Sequence, residues 1–422
     1  MFIYFSTLGC KLNYSETSTL KRIAEEKGFK VTRNIDEADF IVVNTCTVTH
    51  TADKKSRYTI RHLHQLNPKA KILVTGCYAE SDSESIKKIE GVSIIFGNNE
   101  KELFESILQQ TDTTTHNLKN NTFFKSFSLG DRTRSFLKIQ DGCNYFCSYC
   151  KIPFVRGRSR NASIDEILNQ VNIIEKNNVK EVVLTGINIG DFGHTTKENF
   201  LDLLISLEKK TSIPRYRISS IEPNLLTNEI IDFILQSSRF MPHFHIPLQS
   251  GSNYILKLMN RKYSSELFVE RVQYIKQKDP FCCIGTDVIV GFPGEKESHF
   301  QETFSLINNL ELNYLHVFEY SDRKGTKAYN LPNKINDKLK KERSEILRKL
   351  SKEKQKIFVQ KNINTTRKLL IESKITNKIM TGFTENYIKV GLSFEKDKIN
   401  SIVNVKIIDW SENYQLAIGE IV

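Results

Sequence analysis

The chain has 422 residues, 39% of them hydrophobic and 26% charged, with a formal net charge of +12. This is the composition of an ordinary soluble protein with core enough for two or three domains, and its basic excess favours a polyanionic partner, nucleic acid or an anionic membrane surface. No window approaches the roughly 18 apolar residues of a membrane span, and the apolar start lacks a signal peptide's basic flank, so the expected location is cytosolic, where eight cysteines serve better as ligands than as disulfides.

Residues 1–7 form a β-rich run that ends at Leu8-Gly9-Cys10, and a helical pattern follows over 15–27. An apolar strand at 40–43 ends in Asn44-Thr45-Cys46 and precedes a basic helix at 53–65. A third strand at 71–74 ends in Thr75-Gly76-Cys77, a helical stretch begins at 81, and 91–96 is a fourth strand. Strands alternating with helices indicate a parallel α/β sheet, whose ligands bind at the C-terminal edge of the strands. Each of the three cysteines sits at such an edge. Cys10, Cys46 and Cys77 are therefore expected to converge as a metal site, with inert cysteines at buried strand ends as the plain alternative. Gly9 and Gly76 let the backbone approach a bulky group there. The stretch 111–127, rich in Thr, Asn and Lys, reads as a linker.

A strand at 135–140 then runs into a loop carrying Cys143, Cys147 and Cys150, spaced C-x3-C-x2-C. Soft thiolates at this spacing suit an iron–sulfur cluster or, less well, zinc. A locally closed zinc site wants four ligands, and no fourth Cys or His lies nearby. Three thiolates on a four-iron cluster leave one iron open to a ligand that is not protein. Strands at 181–185, 216–221, 243–248, 283–290 and 314–320 alternate with helices near 163–177, 199–210, 227–237, 264–278 and 297–310. About six β/α units make either a partial barrel or a doubly wound sheet, and periodicity does not choose between them. Polar and glycine motifs fall at the strand ends: Thr185, Gly186 and Asn188; Ser220 and Glu222; Gln249; and Asp287. The plain reading of their Gly and Ser residues is turn formation. Arg156, Arg158 and Arg160 follow the cysteine loop and suit phosphate. Cys282 and Cys283 read as packing.

A charged helix covers 334–361, and short strands at 368–371, 387–390, 402–408 and 415–421 suggest a small β-barrel. Trp410 suits a core position there, or stacking on a base.

The cysteine loop, Tyr149 included, resembles that of the radical S-adenosylmethionine (SAM) family. Thr-Leu-Gly-Cys-Lys-Leu-Asn-Tyr-Ser-Glu-Thr at 7–17, Val-Asn-Thr-Cys-Thr-Val-Thr at 43–49 and Thr-Gly-Cys-Tyr-Ala-Glu at 75–80 resemble the N-terminal domain of the methylthiotransferases. The resemblance implies an α/β fold in three parts. These are an N-terminal parallel-sheet domain at 1–112, a partial (β/α)6 radical SAM barrel at 129–358, and a small β-barrel at 361–422 that resembles the TRAM domain. It implies two [4Fe-4S] clusters, one on Cys143, Cys147 and Cys150 that cleaves SAM, and an auxiliary one on Cys10, Cys46 and Cys77 that supplies sulfur. Thr185, Gly186, Asn188, Ser220, Glu222, Gln249 and Asp287 would contact SAM. A 5′-deoxyadenosyl radical would then remove hydrogen from an unactivated C–H bond, and a methylthio group would replace it. The implied partners are tRNA, an electron donor and a sulfur source.

Three substrate branches are expected of this family: isopentenyladenosine in tRNA, N6-threonylcarbamoyladenosine in tRNA, and a ribosomal-protein aspartate. Lys11 after the first cysteine, and Val48-Thr49 after the second, resemble the threonylcarbamoyladenosine branch. The ribosomal branch typically has Pro at the first of these places, and the isopentenyl branch Gln. A non-enzymatic iron–sulfur RNA-binding protein is the rival class.

Overall fold

Apolar strands alternating with amphipathic helices organise the first hundred residues. In chain order these are β1 (Phe2–Thr7), α1 (Lys11–Glu26), β2 (Lys30–Thr32), β3 (Phe40–Thr45), α2 (His50–Leu66), β4 (Lys71–Gly76), α3 (Cys77–Ser81), α4 (Ser83–Lys87), β5 (Val92–Ile95) and α5 (Phe104–Leu108). In this computed structural model, which describes residues 1–109, 122–130, 132–376 and 379–422, the strands form one parallel sheet ordered β2-β1-β3-β4-β5. Strand alternation divides the core between two faces. Ile41, Val43, Ile72 and Val74 pack with Ile60 and Leu63 of α2, whereas Val42 and Leu73 pack with Leu20 and Ala24 of α1. Helix α1 begins four residues before the expected start: Cys10 takes the N-cap position in extended geometry, without a side-chain cap. Asn13 spends its amide on the carbonyls of Leu8 and Thr45, at 2.8 and 2.9 Å, and so ties this turn to the next strand end.

Of the expected linker, 111–121 lies outside the described residues. The rest is not a linker. Phe124 and Phe127 are buried, and Ser128 N–H donates to Phe136 and Lys138 N–H to Ser126, so the segment lies antiparallel along the next strand.

The following elements are β6 (Arg134–Lys138), β7 (Gln140–Asp141), α6 (Ile152–Val155), β8 (Arg160–Asn161), α7 (Ile164–Lys176), β9 (Glu181–Thr185), α8 (Phe200–Lys210), β10 (Arg215–Ile218), α9 (Asn228–Gln236), β11 (His243–His245), α10 (Asn253–Leu258), α11 (Ser265–Lys278), β12 (Cys283–Val290), α12 (Glu297–Asn309) and β13 (Tyr314–Glu319). The parallel triplets β6-β9-β10 and β11-β12-β13 meet through a bridge between Ser220 and His245. Six strands thus curve in sequence order, open between first and last, and α1 packs on β6 at that opening. This is the partial barrel. The β7–β8 ribbon brackets the cysteine loop, pairing Gln140 with Asn161 and Asp141 with Arg160.

Helix α13 (Asp337–Lys361), capped by Asn336, lies against β13 and leads to β14 (Thr366–Thr376), β15 (Ile379–Thr384), β16 (Lys389–Ser393), β17 (Ile402–Ser411) and β18 (Leu416–Ile421). These five close into a barrel ordered β14-β15-β16-β18-β17. Cys282 and Cys283 are buried packing residues, as expected. Among the described residues no helix is long and apolar enough to cross a membrane.

The small barrel docks on the floor of the large one through buried charge. Arg215 and Arg217 donate to the carbonyls of Phe383, Thr384 and Glu385, and both pair with the buried Glu181 at 2.9 and 3.1 Å. Burial alone would raise the Glu181 carboxyl, but Arg217, Arg215 and Arg134 outweigh it and hold it down at about 2, against an ordinary 4.5. A depressed carboxyl stabilises the fold above its unfolded pKa and loses that contribution as pH falls through its folded one. Glu181→Gln is therefore expected to cost on the order of 3 kcal/mol at neutral pH. In urea titrations from about pH 5 to about pH 2.5 the stability of the wild type should fall more steeply than that of the variant. Parallel pH profiles would refute this account of the floor.

Candidate active site

Three strand ends bring the first set of thiols together. Cys10 follows β1, Cys46 follows β3 and Cys77 follows β4, at one edge of the parallel sheet. Cys46 and Cys77 are buried and Cys10 is exposed. Burial raises the thiol of Cys46 to about 11 and raises that of Cys77, and the neighbouring thiols add to both effects. Two glycines make the convergence possible. Gly76 has φ +96°, and a Cβ there would stand 2.4 Å from Asn44 Oδ1 and 2.5 Å from the Thr45 carbonyl oxygen. Gly9 has φ +101°, and its Cβ would lie 3.0 Å from Cys46 Sγ. A cavity of about 490 Å³ opens over Cys10 and Cys46, walled by Leu8, Val48, Ala52 and Lys55. Three soft donors beside an open cavity fit an iron–sulfur cluster with one face free.

The second set lies in the loop between β7 and α6. Tyr145 N–H and Ile152 N–H each approach a sulfur, Cys143 Sγ and Cys150 Sγ, at 3.4 Å. Phe146 holds φ +51°, and Asn260 fixes that turn by donating to the carbonyls of Tyr145 and Phe146. Arg261 donates to Cys147 Sγ at 3.1 Å and to the Tyr149 hydroxyl at 3.3 Å, and forms an ion pair with Glu222. Burial raises Cys143 to about 11 and Cys150 to about 12. Thiols held neutral by burial, with backbone N–H groups already aimed at their sulfurs, suit ligation by a cationic iron core, which deprotonates them on binding.

One side chain ties the first set to the segment that carries the second. Arg156, just after α6, is fully buried; its Nε donates to Cys77 Sγ at 3.2 Å and its terminal nitrogens to Glu16, Asp141 and Asn13 at 2.9, 3.1 and 2.6 Å. In this network four cations, Lys101, Lys138, Arg156 and Arg160, share two carboxylates, Glu16 and Asp141. Burial opposes ionisation of Glu16, yet Arg156, Lys101 and Lys138 hold its carboxyl well below the usual range. The buried positive excess lies directly against Cys77 and complements an anionic group on these thiols.

The chain's similarities agree with this geometry. The model of the uncharacterized protein family UPF0004 matches residues 2–97, and that of the radical SAM superfamily matches residues 137–307. The threonylcarbamoyladenosine tRNA methylthiotransferase MtaB of Bacillus subtilis is 38% identical, over 96% of this chain and 93% of its own length. The protein of the same name from Aquifex aeolicus is also 38% identical, over 96% of this chain and all of its own length. The chain belongs to the radical SAM methylthiotransferase family. A tRNA-2-methylthio-N(6)-dimethylallyladenosine synthase from Alkaliphilus oremlandii is 33% identical, over 96% of this chain and 89% of its own length. The radical SAM methyltransferase TsrM of Kitasatospora setae has the same fold, with a TM-score of 0.57 at 13% identity, over 78% of this chain and 77% of its own.

The methylthiotransferase's strand-end residues fall into two groups. Thr185, Gly186, Asn188, Glu222 and Gln249 stand at the mouth. Gln140 Oε1 accepts from Ile187 and Asn188 N–H, at 3.0 and 2.8 Å. The buried amide of Asn188 lies beside the Tyr145 hydroxyl and has no well-formed side-chain hydrogen bond among the described residues. Gln249 takes φ +65°, with its N–H on the Asp287 carbonyl. The Glu222 carboxylate is committed to Arg261. Ser220 and Asp287 instead face the barrel lumen with two histidines: Ser220 Oγ lies 2.7 Å from His245 Nδ1, and Asp287 Oδ1 lies 3.3 Å from His245 Nε2 and 3.2 Å from His316 Nδ1. Burial opposes ionisation of Asp287, but the two imidazoles outweigh it and hold the carboxyl below the usual range.

The arginine run is not a phosphate patch. Arg156 is spent on the network, and Arg160 is buried on Asp141, Asn99 and two backbone carbonyls of the same turn. Arg158 alone is exposed, over the Phe146 ring. Glu16, Lys138, Asp141 and Arg261 went unnoticed in the sequence. Lys138 and Asp141 carried a signal, since each interrupts an apolar strand pattern; Arg261 carried none. Arg156→Met strips Glu16, Asp141 and Asn13 of buried hydrogen bonds from the guanidinium and is expected to cost about 3–5 kcal/mol in unfolding of the metal-free protein. Arg158→Met should change stability by no more than about 0.5 kcal/mol. Equal effects of the two substitutions would contradict this placement.

Proposed function

We propose that this protein transfers a methylthio group to C2 of N6-threonylcarbamoyladenosine next to the anticodon of tRNA. The observation that carries the reading is the pair of three-thiol sets, one at the strand ends of the N-terminal sheet and one in the loop after the barrel's first strand, linked by Arg156, which follows the second set and donates to Cys77 of the first. Cys143, Cys147 and Cys150 would hold one [4Fe-4S] cluster, and Cys10, Cys46 and Cys77 the other. When bound, the first cluster with SAM supplies the one-electron chemistry that breaks an unactivated C–H bond, and the second supplies sulfur. The protein's part is placement and exclusion of water. Gln140 fixes the turn of Gly186, Ile187 and Asn188 under the cosubstrate. Arg261 holds Cys147 and Tyr149 against the mouth, and Arg156 holds the two thiol sets at one separation. The three parts divide as 1–112, 129–358 and 361–422.

The substrate branch is supported by the relatives' names. Those named for threonylcarbamoyladenosine span 31–38% identity, with three at 36–38%, and those named for the dimethylallyl nucleoside span 32–33%. The net charge of +12 suits tRNA as partner. An electron donor and a source of sulfur complete the reaction.

The test is nucleoside mass spectrometry of tRNA from a host lacking this activity, with and without the gene. The 2-methylthio form of threonylcarbamoyladenosine is expected only with it. A change in the isopentenyl nucleoside instead overturns the branch, and no change in any tRNA nucleoside overturns tRNA as substrate. In the reconstituted protein, Cys46→Ala should abolish methylthio transfer while retaining 5′-deoxyadenosine formation, and Cys147→Ala should lose both. Equal loss of both activities in the two variants would show that the sites are not separable.

A further inference from the structure

A cavity of about 260 Å³ fills the barrel lumen below the mouth, and three cations line it: Lys11, Arg134 and Arg217. The two arginines are occupied. Arg134 pairs with Glu372 at 2.8 Å, and Arg217 with Glu181 at 3.1 Å. Lys11 has no carboxylate or carbonyl partner among the described residues. It is the first residue of α1, where the helix dipole is unfavourable to a cation, and no acidic residue stands in that turn to offset it. The carboxylate in the same wall, Asp287, is held by His245 and His316, and the buried His243 adds an unused polar atom: its Nδ1 has no hydrogen-bond partner among the described residues, and the residue is 5% exposed. Below them Tyr387 of the small barrel stacks on His243 at 4.0 Å and closes the floor.

The lumen thus asks for a small occupant with one negative charge and several hydrogen-bonding atoms. A backbone phosphate does not meet this, because its flanking nucleotides cannot follow it into a barrel; a base turned out of its stack can enter. At about 260 Å³ the cavity has room for several water-sized groups, enough for a threonylcarbamoyl group. We infer that Lys11 binds the threonyl carboxylate of the substrate nucleoside inside the barrel and so selects it over nucleosides with an uncharged N6 substituent. The inference rests on the substrate reading above. The geometry suits that reaction: Lys11 adjoins Cys10, so the residue that recognises the side chain is built into the turn that carries an N-terminal thiol.

The test uses the full-length reconstituted enzyme and three anticodon stem-loops. One carries threonylcarbamoyladenosine, one its threonyl carboxamide, and one unmodified adenosine. Binding is read by fluorescence anisotropy and transfer by mass spectrometry. A charge-assisted contact should make the wild type prefer the carboxylate over the carboxamide by about tenfold to a hundredfold. Lys11→Gln should remove most of that preference, and Lys11→Arg should keep it. Each preference is a ratio within one variant, so partial cluster loading beside Cys10 cancels; iron content is measured alongside. An unchanged preference in Lys11→Gln, with the wild type still active on threonylcarbamoyladenosine, overturns the inference and leaves the function standing. A rise in the KM for SAM with all three stem-loops, preference unchanged, overturns it too, since Lys11 would then hold the cosubstrate's carboxylate. A wild type that methylthiolates only isopentenyladenosine overturns the function and the inference together.

Discussion

The buried guanidinium of Arg156 is the contact on which the relation between the two halves of the site depends. A cation taken out of water costs several kcal/mol unless every donor finds a partner. Arg156 meets that condition only with partners from both sides: Asn13 and Glu16 of α1 and Cys77 at the start of α3, and Asp141 of β7. A lysine would not serve, because a point charge lacks the fork that reaches a sulfur and two carboxylates at once. Since Arg156 follows Cys150 by only the short helix α6, the position of the N-terminal thiols relative to the cysteine loop is set by the geometry of one helical turn. A second pair repeats the logic at the rim: Arg323, beyond β13, is buried on Asp53 and Thr47 of the N-terminal sheet.

Both thiol sets and the alternation of strands and helices were legible in the sequence because each is a local signal. Spacing declares the cysteine loop, and apolar runs ending in Gly-Cys or Thr-Cys declare the strand edges. The closure of six β/α units was not legible from periodicity, since period measures exposure on one element and not the curvature of a sheet. The arginine run misled for a related reason. Three alternating arginines after a loop look like one cationic face, but α6 turns Arg156 inward and β8 pairs Arg160 with Asp141, so the face never forms. Arg261 was invisible as a functional residue, and Lys11 was legible only as a marker of the substrate branch, because their surroundings are set across the barrel.

Composition overstated the free charge in the same way. Residues 334–361 hold a large excess of lysine and arginine, yet Arg343 is buried on Glu295, and Lys354 is buried on the carbonyls of Asn308 and Leu310. Lys334, Lys356 and Lys361 pair with Asp322, Glu412 and Glu311. What faces solvent is a narrower row including Lys338, Lys341, Lys349 and Lys352. The long-range field of the chain remains that of its net charge, but the contacts available to a polyanion are those of the exposed residues alone.

The small C-terminal barrel has a structural duty that its β pattern did not reveal. A six-stranded barrel left open at its N-terminal floor would admit water to Glu181 and its three arginines, and a buried charge cluster is stable only when fully paired. The carbonyls of Phe383, Thr384 and Glu385 complete the hydrogen bonds of Arg215 and Arg217, and the Tyr387 ring covers His243. The lumen is thereby sealed below, flanked by α1 at its open side, and open at the mouth where the strand-end residues gather. Both accessory parts of the chain therefore act on the same cavity, one by placing Lys11 in its wall and the other by closing its base.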